Sequence, residues 1–135
     1  MRALIFLLLN VLFLSGFDIS DPIQKQNGVE YAITGGGETA LDPRWKEFPL
    51  KIIMTKGKRK KEQYTPYQVR HLRVFSTDQK KLLEVKDAGP WLLLRLPPGD
   101  YYVYSHDERG IAKNITVRVA KKTGEQNVFY LEFPE

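Results

Sequence analysis

The chain has 135 residues, no cysteine and a formal charge of +5, with 42% hydrophobic and 27% charged residues. That balance is ordinary for a globular protein, and the length allows one domain. Without cysteine there is no disulfide scaffold, cysteine-ligated metal site or thiol nucleophile.

Met1-Arg2 leads into an apolar run over residues 3–14, broken only by Asn10, and then Ser15-Gly16. One positive charge before a short apolar run is the layout of a secretory signal peptide. The run falls short of the roughly 20 residues that a membrane-spanning helix needs. Residues 1–17 are therefore expected to be a signal peptide. Export without disulfides suits a bacterial envelope, so the expected location is periplasmic or secreted.

Residues 18–48 carry no clear period. Asp21-Pro22, Asn27-Gly28 and Thr34-Gly35-Gly36-Gly37 are turn signals, and Pro43 limits any helix there to a turn or two. The segment is expected to be an irregular lead that packs on the domain through Trp45 and Phe48. Tyr31-Ala32-Ile33 could pair as a short edge strand.

From Pro49 the pattern becomes that of strands, expected at residues 50–55, 69–75, 82–85, 91–96, 101–105, 115–119 and 128–133. Turn chemistry separates them, as at Pro97-Pro98-Gly99, where proline pre-sets one turn position and glycine accepts a positive φ at the next. In the last two strands one parity is apolar: Ile115, Val117 and Val119, then Phe129, Leu131 and Phe133. One face is therefore buried and one wet. The expected fold is all-β, a seven-stranded antiparallel β-sandwich over residues 49–135.

Leu96-Pro97-Pro98-Gly99, followed by Tyr101 and Val103, resembles the carboxypeptidase regulatory-like domain, whose fold is the transthyretin-like (prealbumin-like) sandwich. Gly35-Gly36-Gly37-Glu38, Leu50-Lys51-Ile52 and Gly89-Pro90-Trp91 widen the likeness to small exported proteins of Gram-negative bacteria. It covers roughly residues 33 to 133. The resemblance implies fold and compartment rather than an activity. The hydroxyisourate hydrolases of this fold end in Tyr-Arg-Gly-Ser, whereas this chain ends Phe133-Pro134-Glu135.

Two features stand out as candidate binding sites. Lys56, Lys58, Arg59, Lys60 and Lys61 put five positive charges in six positions, and the rest of the chain nets zero. Expected in the loop after the first strand, this run suits an anionic partner. It would equally serve as a solvated hairpin tip that protects an edge. Trp91, Tyr102 and Tyr104 have outward parity and are expected to form an aromatic face. Alternatively the lead covers that face, with Trp45 and Phe48 against Trp91. Tyr64 and Tyr67 lie beside the basic run.

Gly35-Gly36-Gly37-Glu38 lacks the Lys-Ser/Thr of a phosphate loop and reads as a turn. His71 and His106 are the only histidines. Ser105-His106-Asp107 are sequence neighbours, and neighbours on a strand point to opposite faces, so they make no triad. Both histidines read as structural, and no third ligand for a metal lies near either in sequence. The expected function is non-catalytic, without metal or cofactor: an envelope binding or accessory protein. Its partner would be an envelope protein, an anionic glycan or a lipid surface, with no nucleic acid and no membrane span after signal cleavage. Edge-strand pairing with one envelope protein is the alternative.

Overall fold

A computed structural model describes residues 21–61, 63–122 and 124–135. The expected signal segment, residues 1–17, lies outside the described residues. Ten strands are described: β1 (Gln24–Gln26), β2 (Val29–Thr34), β3 (Leu50–Lys60), β4 (Gln63–Pro66), β5 (Val69–Ser76), β6 (Lys81–Ala88), β7 (Trp91–Arg95), β8 (Gly99–His106), β9 (Ala112–Val119) and β10 (Asn127–Phe133). They form two sheets in a sandwich-like arrangement. The larger runs β1-β2-β7-β3-β10, with β4 added to β3, and the smaller runs β6-β5-β8-β9.

Three expectations are corrected. Ten strands replace seven, because the basic run continues β3 into a hairpin with β4 and the lead supplies two more strands. The lead is not irregular. Asn27 and Gly28 both take a positive φ and reverse the chain between β1 and β2. β2 then pairs with β7 from Glu30↔Arg95 to Thr34↔Trp91, inside the sheet rather than at its edge. The sandwich is also not wholly antiparallel, since β10 pairs parallel with β3 from Asn127↔Leu50 to Phe133↔Lys56. The chain leaves β9 in one sheet and enters the other at the start of β3, where the Asn127 N–H and side-chain amide both donate to the Pro49 carbonyl. From there it can only run in the direction of β3.

The parity of the strands sets the core. Leu50, Ile52 and Met54 of β3, Leu92 and Leu94 of β7, and Leu131 and Phe133 of β10 face Leu72 and Val74 of β5, Val103 of β8 and Val117 of β9. All are buried, and each large side chain contributes roughly 1.5–3 kcal/mol relative to exposure. A second, smaller cluster lies on the outside of the larger sheet. There Trp45 and Phe48 cover Ala32 and Leu93, with Trp91 packed alongside. Two short 3-10 helices, Gly37–Leu41 and Pro43–Glu47, carry this cover. Asp42 starts the second by accepting from the Arg44 N–H, and Trp45 Nε1 donates to the Thr39 carbonyl.

One end of the sandwich is fastened by Asp107, which is 1% exposed. Its carboxylate accepts from the N–H groups of Arg109 and Ile111, from the Arg109 guanidinium and from the Tyr67 hydroxyl. Burial alone would raise its pKa. The Ile111 N–H and then the Arg109 and Tyr67 side chains outweigh burial and hold the carboxyl at about 2.

Candidate functional site

β3 is longer than the sheet that holds it. β7 pairs with it only through Ile53, and β10 stops opposite Lys56. Beyond Lys56 the partner of β3 is β4, through Lys56↔Thr65 and Lys60↔Gln63. The result is a two-stranded arm that continues β3 beyond its pairing with β7 and β10 and rests on the sheet through Tyr64 and Arg59. Lys56, Lys58, Arg59 and Lys60 lie in the strand, and Lys61 turns the tip with φ +55°. The basic run is therefore a strand and not the loop that its composition suggests. A lysine run has little strand propensity of its own, and the pairing with β4 overrides it. A bulge between Lys56 and Lys60 twists the arm, with Gly57 at φ +78°.

The five basic residues divide into two kinds. The Arg59 guanidinium stacks 3.7 Å from the Tyr130 ring centre. Its Nε donates to Glu132 at 2.9 Å and its terminal nitrogen to the Lys61 carbonyl. Arg59 thus ties the arm to β10. Lys56, Lys58, Lys60 and Lys61 have no ion pair to a carboxylate among the described residues. Lys56 sits 5.4 Å over the Tyr67 ring. It lines a groove of about 640 Å³ with Tyr67, Gln68 and Arg109.

The aromatic candidates do not make one face. Trp91 lies on β7 and points out of the larger sheet, whereas Tyr102 and Tyr104 lie on β8 and point out of the smaller one. Inward Tyr101 and Val103 are buried at 6% and 0% exposure, so the parity was legible but the sheet was not. Trp91 is half-buried and its surfaces are occupied. Lys51 Nζ stands 3.4 Å from its ring centre, and Gly35 lies so close that a Cβ there would come within 2.6 Å of Trp91 Cγ. Burial of Lys51 lowers the pKa of its ammonium. Trp91 Nε1 donates to the Tyr64 hydroxyl at 2.9 Å, and Tyr64 packs edge-on against Tyr130. Trp91, Tyr64, Tyr130 and Arg59 are thus continuous and join the arm to the sheet. Lys51 and Tyr130 escaped sequence reasoning, because only the β3–β10 pairing puts them beside this group.

On the outside of the smaller sheet, Tyr102 is half-buried and Tyr104 is 39% exposed, with Phe75 edge-on to Tyr104. Along the same face His71 pairs in register with His106, their ring centres 5.5 Å apart. His71 Nε2 donates to Glu84 at 2.6 Å, and Lys81 also pairs with Glu84. Those two hydrogen bonds, from Lys81 and then His71, lower the pKa of the Glu84 carboxyl.

Gly35-Gly36-Gly37-Glu38 leads into the first 3-10 helix, with Gly36 as its extended cap. Among the described residues no three His, Asp or Glu side chains converge on a point that would hold a metal. No described helix is long and apolar enough to cross a membrane. Set beside known proteins, the chain matches no family model, no curated protein and no solved structure.

Proposed function

We propose that this is an exported, non-catalytic sandwich of the transthyretin-like type, akin to the carboxypeptidase regulatory-like domains, that captures an anionic envelope surface through its β3–β4 arm. The observation that carries the reading is the arm itself. It presents Lys56, Lys58, Lys60 and Lys61 on a strand pair mounted by Arg59 against Tyr130 and Glu132. A cluster of cations with no carboxylate partner among the described residues attracts phosphate or carboxylate groups. The attraction reaches about 8–10 Å at physiological salt. Lysine suits this use, being a mobile point charge that follows an irregular anionic surface.

The purified protein is tested against vesicles of neutral lipid with and without phosphatidylglycerol, at low and at high salt. Binding to the anionic vesicles should fall steeply with salt. It should also weaken at least tenfold in a variant with Lys56, Lys58, Lys60 and Lys61 all changed to Gln. A variant that binds as well as the parent sinks the proposal.

A second reading, strand pairing with an envelope protein, is favoured by β10. It is the outermost strand of its sheet, and Val128 on it is 44% exposed. Pairing of that kind rests on main-chain hydrogen bonds. Capture from an envelope extract would then persist at high salt and be lost in Val128→Pro.

A further inference from the structure

We propose that His71 and His106 form a two-imidazole site for a late first-row divalent cation, Cu(II) foremost, on the outer face of the smaller sheet. The site is separate from the arm, which belongs to the other sheet.

The two histidines are 35 positions apart in sequence (106 − 71 = 35) but directly opposite on neighbouring strands β5 and β8. Their ring centres lie 5.5 Å apart with a 54° tilt. Two imidazoles that share one metal through bonds of about 2.0 Å, at near-tetrahedral or square angles, place their ring centres about 5 Å apart. The observed pair is within a small side-chain adjustment of that arrangement, on a backbone held by strand pairing on both sides.

Glu84 settles the tautomer of His71. A carboxylate only accepts, so His71 Nε2 carries the proton it donates to Glu84, and in the neutral ring Nδ1 is the nitrogen whose lone pair is free for a metal. A carboxylate behind a ligating imidazole is the usual outer partner of a metal-bound histidine, since it fixes the ring and raises its basicity. Glu84 acts here as a positioning residue through His71.

The donor set, two imidazoles side by side, is what suits a nitrogen-bound cation. The hollow beside the pair holds Arg70 and Lys86 together with Asp87. Glu84 is already balanced by Lys81, so the hollow keeps one net positive charge and the attraction for a metal ion comes from the imidazole nitrogens and not from local charge. With two protein ligands, the remaining positions belong to water or to a small donor. An open site with nitrogen and oxygen donors suits Cu(II) or Ni(II), and the affinity order of divalent ions places Cu(II) first.

Cu(II) is titrated into the purified full-length protein with glycine as a weak competing chelator, and the one-equivalent complex is examined by electron paramagnetic resonance. The expected result is one equivalent bound, with nitrogen splitting from two imidazoles. His71→Gln and His106→Gln should each weaken binding at least tenfold while leaving circular dichroism and Tm unchanged. A wild-type spectrum with fewer than two imidazoles overturns the proposal, as does unchanged affinity in either variant. Should a variant fail to fold, the wild-type spectrum decides by itself.

Discussion

The Arg59 guanidinium lies 3.7 Å from the centre of the Tyr130 ring and donates to Glu132, two residues further along the same strand. One residue of the basic run is thus spent on holding the run in place. Such a contact at an exposed site is worth about 0.5–1 kcal/mol. That is little for the whole fold and a large share of what orders a two-stranded arm. Arg59→Gln should therefore leave Tm nearly unchanged while speeding amide exchange over residues 57–66, read by mass spectrometry. Lys at this position should not rescue it, because an ammonium cannot stack and fork at once. Unaltered exchange in the arm would show that β4 alone holds it.

Gly35 and Gly36 are neighbours with different burdens. Gly35 has φ +96°, and a Cβ on it would press on the Trp91 ring, whereas Gly36 has φ −91° and open space around it. Gly35→Ala should cost about 1–3 kcal/mol. Gly36→Ala should stay within about 0.5 kcal/mol of the parent. Urea unfolding followed by tryptophan emission reads both, and the folded Gly35→Ala protein should emit further to the red as Trp91 is displaced. Equal stabilities would mean that the lead bends away freely.

Asp107 carries a pH dependence whose sign follows from its environment. Its carboxyl is held at about 2, below the ordinary value of 3.8, so its contribution is fully present above about pH 4 and is lost as pH falls toward 2. Asp107→Asn should lower Tm at pH 7, because Asn cannot serve the Arg109, Ile111 and Tyr67 donors together. The variant should also lose less between pH 4 and pH 2 than the parent does. Asp78, Glu84 and Asp100, also lowered by their hydrogen-bond partners, keep some acid sensitivity in both proteins. Parallel Tm profiles would remove Asp107 as the cause.

Gln26 closes one side of the sandwich by imitating a strand. Its amide oxygen accepts from the Glu84 N–H at 2.7 Å, and its amide nitrogen donates to the Glu84 carbonyl at 3.1 Å. Asn27 adds a bond to the Leu82 carbonyl. β6 is the outermost strand of its sheet, so these bonds occupy an edge that another chain could use. Gln26→Leu should cost about 1 kcal/mol and increase self-association, read by sedimentation velocity. A variant that stays as monodisperse as the parent would show that the edge is protected by other means.

Some of this was readable from the chain and some was not, and particular residues show where the line falls. Leu92, Leu94 and Leu96, Tyr101 and Val103, and Val117 and Val119 face inward as their parity requires. Alternation with period two is a property of one strand, so it needs no knowledge of a neighbour. Trp45 and Phe48 stand out in the sequence as the large apolar residues of the lead, and both are buried against Leu93. The basic run was legible as a cluster but not as a strand, because Lys58 and Lys60 depend on β4 for their conformation. Trp91 and Tyr102 share outward parity, yet parity does not say which sheet a strand joins.

By itself the sequence determined the all-β class, the inward residues of the strands it marked and a concentrated positive charge, all of which follow from local alternation, turn residues and composition. Tertiary structure alone decided that β10 runs parallel beside β3, that Arg59 stacks on Tyr130 and that His71 meets His106. Each of these joins residues far apart in the chain. Strand pairing at that separation is chosen by the burial and hydrogen bonding of the whole fold, not by any one segment.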